Sequence, residues 1–185
     1  MIYPIVLFGD PVLKRKAQTI EKGALDLDPV IIDMFETMDE ANGVGLAAPQ
    51  IGLSIRLFVL DTTPMVEDDE EEGVRMVFIN PEIVDESGEE WAFEEGCLSI
   101  PGIREDVIRL DTVKIKYQDE EWNWHEDELD GMLARVIQHE YDHIEGVLFT
   151  DYLTSFKKRI LKKRLENISR GKVDVDYRYK APLKK

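Results

Sequence analysis

Two histidines four residues apart, with a glutamate beside the first, restrict this chain more than any other stretch: residues 138–143 read Gln138-His139-Glu140-Tyr141-Asp142-His143. Side chains at i and i+4 lie on one face of a helix, and Met132 and Val136 lead into the pair at steps of four and three. The spacing predicts a helix over about residues 130–143 whose two imidazoles can reach one cation, with Glu140 placed to face a water at that cation. A pair of hydrogen-bonded core histidines is the bland alternative, and the adjoining glutamate argues against it.

Two ligands do not hold a catalytic metal, so a third must come from elsewhere. In the long three-histidine pattern the third ligand falls ten residues after the first; here that position is Phe149, which cannot ligate. A glutamate on the following helix is a second possibility, and Glu166 is its candidate, although it stands among lysines on a basic surface. Cys97, in Glu95-Gly96-Cys97-Leu98-Ser99, is the better candidate, because a thiolate with two imidazoles is a known three-ligand set that leaves a fourth position open. It is the only cysteine, so it cannot form an internal disulfide; without the histidine pair it would read as a small buried apolar residue.

A third segment, residues 43–50, is built almost wholly from small or apolar residues and ends in an amide side chain. Gly43 and Gly45 would let a substrate backbone lie against the chain, and Gln50 could donate to an oxygen that gains charge during attack. A helix C-cap at Gly43 followed by a packed loop fits the same residues equally well.

Around these segments, Asp28 and Pro29 serve as the expected N-cap and first helical residue of an amphipathic helix carrying Val30, Ile31, Met34, Phe35 and Met38, closed by Asn42-Gly43. Short strands are expected over residues 55–60, 76–79, 82–85 and 107–110, and a cleanly alternating one over 112–117. Asp119-Glu120-Glu121 could turn the last of these into a partner over 122–125, though without the favoured glycine. A helix over about 154–169 is expected to turn Phe156, Ile160, Leu161, Leu165 and Ile168 inward. Helix, many strands, helix, helix is the order of an α+β domain, with short antiparallel or mixed sheets around a central metal-binding helix and a further helix at the C-terminus. We expect one domain over residues 1–170 and a basic tail over 171–185.

Charge is unevenly placed. The net −16 divides into 12 Lys/Arg against 3 acids in residues 157–185 and 11 against 36 in residues 1–156. So acidic a body should repel polyanions, which argues against DNA, while solubility is the plain reading of the acidity. Residues 64–73 contain six consecutive acids, Glu67 through Glu72, and read as a mobile surface insertion. No apolar run approaches bilayer length, and the apolar residues 2–8 are broken by Pro4 and lack a basic leader; a cytoplasmic protein is expected.

Together, residues 43–50, 95–99 and 138–143 closely resemble, in the same order, the G-φ-G-φ-A-A-x-Q, E-G-C-L-S and Q-H-E-x-D-H signatures of the peptide deformylases, and the likeness extends over about nine tenths of the chain. The resemblance implies removal of the formyl group from N-formylmethionine on newly made polypeptides. It further implies one divalent cation, Fe2+ by family likeness, with Zn2+, Ni2+ or Co2+ able to substitute. Metal ligation then falls on Cys97, His139 and His143, proton handling on Glu140, and oxyanion contact on Gln50 with the backbone N–H of Leu98. Val44, Met132 and Val136 are the candidates for an apolar substrate wall beside Gly43 and Gly45. Arg104 and Arg135 are expected to serve internal ion pairs, with Asp142 or another acid, rather than substrate. The basic C-terminal helix could dock on ribosomal RNA, since clustered cations bind phosphate, but a solvated helix with cations near its C-terminus fits the same residues. A metallopeptidase using the same helix is the rival enzyme; a non-catalytic metal or redox module is the rival outside enzymes, and it would need a fourth protein ligand, for which His125 lies outside the motifs.

Overall fold

The computed structural model describes residues 1–65 and 73–182. Its elements in chain order are β1 (Ile5–Val6), α1 (Asp28–Glu40), β2 (Gly45–Ala47), β3 (Leu57–Asp61), β4 (Arg75–Gly96), β5 (Arg104–Gln118), β6 (Trp124–Asp130), α2 (Gly131–Glu145), α3 (Ser155–Ser169) and β7 (Tyr179–Lys180). Five strands form one antiparallel sheet in the order β2-β3-β4-β5-β6, and β1 pairs with β7 in parallel. The architecture is the expected α+β one, with the histidine helix α2 packed on the sheet and α3 near the C-terminus.

Strand alternation decides what each helix covers. In β3, Leu57 and Val59 join Val77 and Ile79 of β4 against Val30, Ile31, Met34 and Met38 of α1. Phe58, Leu60 and Phe78 point the other way and pack with Ala134, Val136, Ile137 and Ile144 of α2. Phe58, Phe78 and Tyr117 stack in sequence beneath α2, with ring centroids 4.6 and 4.3 Å apart. The middle of the sheet is therefore buried on both faces, and α2 is held in the interior along most of its length. Gly146 ends α2 at φ 77°, where a Cβ would also sit 2.8 Å from the Lys14 backbone, so both conformation and space demand glycine.

Several local expectations are corrected. The strands expected over 76–79 and 82–85 are one strand, β4, which continues to Gly96 with register shifts at Ile79/Glu82, Ile83/Asp85 and Ser87/Glu90. Much of its second half is exposed, so no apolar alternation marks it in the sequence. Asn80 takes φ 51° at the first irregularity, and its side chain bonds to both backbone groups of Ile20 at 2.8 Å. The strands expected over 107–110 and 112–117 are likewise one, β5. The turn into β6 does form, with Trp122 adopting the φ of 68° that a glycine would have supplied. Leu27, not Asp28, caps α1, which begins at Asp28 and gains no side-chain cap bond.

On α3, capped by the Thr154 side chain, only Leu161 and Ile168 are buried, with Leu165 packed beside them; Phe156 and Ile160 are 69% and 61% exposed rather than turned inward. They lie about a third of a turn from the buried stripe, which by itself meets the core. Of the acidic insertion, residues 66–72 lie outside the described residues, as do 183–185 of the tail. Among the described residues no helix is long and apolar enough to cross a membrane.

Candidate active site

Cys97 follows directly on β4, and β4's period of two carries Glu95 and Cys97 toward the same side, against α2. There the Cys97 sulfur lies 3.3 Å from His143 Nε2, and one ligand atom from each of Cys97, His139 and His143 falls within 4.8 Å of the others. A cation bound tetrahedrally by one sulfur and two ring nitrogens separates its ligand atoms by roughly 3.3–3.6 Å, so the three side chains need only a small contraction to hold one. The donor set, soft thiolate with two imidazoles, suits zinc or iron. Glu166 is exposed on α3 and lines a separate outer depression beside Phe8 and Lys162, so it does not join them. His125 instead bonds Asp119 at 2.7 Å.

Of the two histidines, His139 is fixed from behind. His139 Nδ1 meets a Glu95 carboxylate oxygen at 2.9 Å, which leaves Nε2 for the cation and sets the ring's orientation. Glu95 is itself buried and gripped by Arg109 at 2.7 and 3.0 Å and by Arg135 at 2.9 Å. Burial pushes Glu95 toward its neutral form, but the bonds to His139 and Arg109 outweigh it and hold the carboxyl well below the usual range. Burial, above all, pushes His143 down and keeps it neutral, the form that ligates. Arg135 is thus an internal ion-pair partner, while Arg104 pairs with Glu94 on the surface and Asp142 pairs with Arg109 at 2.8 Å.

Glu140 is 4% exposed, and its Oε2 has no hydrogen-bond partner among the described residues. Burial, above all, pushes its carboxyl up to about 7. A Cβ on Gly45 would lie 2.4 Å from Glu140 Oε1, so the glycine is there because β2 passes directly over the carboxylate. Gln50, on a short 3-10 turn after β2, is 1% exposed: its Oε1 accepts from Ala47 N–H at 2.8 Å, which turns the amide NH2 toward the Cys97 sulfur at 3.6 Å and Ser99 Oγ at 3.4 Å.

One cavity of about 560 Å³ is lined by Gly43, Val44, Gly45, Gln50, Cys97, Leu98, Met132, Val136, His139 and Glu140, with His143 buried behind. Ten of the residues singled out from the sequence thus line this cavity and His143 stands beside Cys97, whereas Glu166 lies elsewhere. Sequence reasoning missed Glu95, although it stands two residues from Cys97 on a strand and a metal-bound histidine needs a carboxylate or carbonyl partner. It also missed Arg109, and Val175 and Tyr177, which line the cavity from the C-terminal tail and carry no signal in their local sequence.

Comparison with known proteins points one way. The family model described as polypeptide deformylase matches residues 2–159. A peptide deformylase of Cytophaga hutchinsonii is 60% identical over 185 residues, covering 100% of both chains, and one of Christiangramia forsetii is 53% identical over 190 residues, covering 98% of this chain and 97% of its own. The crystal structure of a peptide deformylase from Legionella pneumophila superposes with a TM-score of 0.81 at 41% identity, covering 93% of this chain and 98% of that one.

Proposed function

The chain belongs to the peptide deformylase family, and from that premise we infer that it hydrolyses the N-formyl group from the formylmethionine that begins newly made polypeptides, releasing formate. The observation that carries the reading is the meeting, at one cavity, of three ligand atoms within 4.8 Å of one another and a buried glutamate whose Oε2 has no partner among the described residues.

We propose the following division of labour. Cys97, His139 and His143 hold one divalent cation, which when bound lowers the pKa of water toward neutrality and polarises the formyl carbonyl. Fe2+ is favoured over Zn2+, Ni2+ and Co2+ by family likeness alone, since the thiolate donor suits zinc as well. Glu140 takes the proton of the attacking water and passes it to the departing amine nitrogen, a task suited to a carboxyl pushed up to about 7 by burial. Negative charge growing on the formyl oxygen is met by the Gln50 amide and the Leu98 N–H, donors held in place before reaction begins. Val44, Met132 and Val136 form the apolar wall for the methionine side chain, and Gly43 and Gly45 let the substrate backbone lie close.

We assign residues 1–170 to the catalytic domain and 171–185 to a basic tail, and expect the protein in the cytoplasm, where nascent chains are made. We also propose that α3 reaches ribosomal RNA: Lys158, Arg159, Lys162 and Lys163 are exposed on it and would bring phosphate affinity. Ribosome binding that weakens steeply with salt and is lost in a Lys162→Glu, Lys163→Glu variant supports this; binding indifferent to both removes it.

The test of the main reading is preparation without oxygen, measurement of bound iron, zinc and nickel, and assay of formate from a formyl-Met peptide beside Glu140→Ala. We expect a stoichiometric metal in both proteins and turnover only in the first. Metal held by a chain that cleaves internal peptide bonds and frees no formate would favour the metallopeptidase reading instead.

A further inference from the structure

The matched family residues end at 159, yet the chain returns to the active site after that point. Gly171 takes φ 71° at the end of α3 and redirects the backbone, and β7 then locks onto β1: Ile5 N–H donates to the Arg178 carbonyl at 2.8 Å and Leu7 N–H to the Lys180 carbonyl at 2.9 Å. Arg178 also reaches the Ile2 carbonyl at 3.1 Å, and Tyr179 Oη the Gly171 carbonyl at 3.2 Å. Between these anchors, Val175 and Tyr177 form part of the wall of the cavity that holds Cys97, Gln50 and Glu140. The Tyr177 hydroxyl donates to the Leu98 carbonyl at 2.7 Å.

That carbonyl is one of three in succession that are each held by a different part of the molecule. The Cys97 carbonyl accepts from Ile100 N–H at 2.9 Å, within the loop's own turn, and the Ser99 carbonyl accepts from Phe8 N–H at 2.8 Å, on the N-terminal segment. Only the middle one depends on the tail. Because peptide units are planar, fixing the Cys97 and Leu98 carbonyls fixes both peptide planes that meet at the Leu98 Cα, and with them the direction of the Leu98 N–H. Weakening the second plane gives the first a hinge one residue from a metal ligand.

We propose that Tyr177 is a positioning residue for the hydrolysis: its hydroxyl holds the Leu98 peptide so that the Cys97 sulfur and the Leu98 N–H face the reacting centre together, which makes the C-terminal tail part of the active site. The inference rests on Leu98 N–H serving as an oxyanion donor. The tyrosine's hydroxyl bonds the Leu98 carbonyl rather than a proposed ligand, so it acts through the loop.

The experiment uses the full-length, metal-loaded protein with Tyr177→Phe, which keeps the ring and removes the bond, and Tyr177→Leu, which removes both. Loss of a hydroxyl-to-carbonyl bond predicts that Tyr177→Phe lowers kcat on a formyl-Met peptide by roughly three- to tenfold, with KM and bound metal unchanged. Amide exchange at residues 98–100 should quicken in the same variant, metal-loaded or metal-free. Wild-type kcat in Tyr177→Phe overturns the proposal, whether or not Tyr177→Leu is impaired, because the ring would then be wall alone. Faster exchange with unchanged kcat overturns it equally, as a tether without catalytic consequence. Wild-type protein that releases no formate from the formyl-Met peptide would remove the proposed function and this inference with it, which separates the two failures.

Discussion

Glu95 stands 2.9 Å from His139 Nδ1 while Arg109 grips the same carboxylate through two bonds of 2.7 and 3.0 Å, so the orientation of the His139 ring, a proposed metal ligand, is set by a buried ion pair two residues upstream of Cys97, the proposed thiolate ligand. Arg135 adds a third hold at 2.9 Å and ties the cluster to the Val107 and Trp91 carbonyls. Two guanidinium groups buried around one carboxylate are tolerable only while that carboxylate is charged.

Glu95→Gln should therefore lower both stability and metal affinity. Leaving Arg109 and Arg135 without their shared anion is expected to cost about 3–5 kcal/mol of folding stability, read by denaturant unfolding. Exchanging the carboxylate behind His139 for a neutral amide oxygen, a weaker acceptor, should weaken metal binding by roughly 10–100-fold, read by competition with a chelator. A variant that unfolds like wild type would contradict the ion-pair argument, and one that binds metal like wild type would contradict the orienting role.

Gly45→Ala tests the close passage of β2 over Glu140. An added Cβ would lie 2.4 Å from Oε1 and 2.8 Å from Cδ of that buried carboxylate, which must then move aside. Displacing a proton-transfer group by about 1 Å can cost on the order of 100-fold in rate, and the three atoms nearest the added Cβ all belong to Glu140. We expect formate release to fall by about that factor with bound metal unchanged; turnover within a factor of about two of wild type would show that Glu140 has room to adjust.

Much of the site is written in local spacing. The helical step from His139 to His143 is a short-range pattern and Cys97 is the only cysteine, which is why these three could be read as candidate ligands before any fold was known, whereas the strand step from Glu95 to Cys97 went unread with the end of β4. β4 could not be read to its end, because residues such as Glu86, Glu89 and Glu90 are exposed and offer no apolar alternation for pairing to show through. Phe156 and Ile160 misled for the opposite reason: apolar residues at helical spacing look buried, but what covers them is a tertiary matter. Tyr177 and Arg109 reach the site from 79 and 14 residues away from their partners, Leu98 and Glu95, separations that no local pattern encodes.

The rival third ligand is excluded by a paired substitution. Cys97→Ala should lose metal and formate release together, while Glu166→Ala, altered on the exposed side of α3, should keep both. Metal analysis after gel filtration decides it. Retention of a full metal complement by Cys97→Ala would mean that the two histidines recruit some other donor.

The metal identity has a consequence that air reveals. Cys97 is partly exposed and lines the open cavity, so oxygen or peroxide entering with solvent meets both the thiolate and the ion it would hold. A ferrous centre can be oxidised at the metal, whereas nickel under the same conditions keeps its charge, and in either form Cys97 is shielded only as far as ligation occupies its sulfur. The iron-loaded protein should therefore lose activity in aerated buffer faster than the nickel-loaded one, and catalase should slow the loss if peroxide is the agent. Half-lives measured side by side check this: equal decay of both forms would place the oxidative weakness on the cysteine rather than on the metal, and would remove the argument for iron as the labile partner.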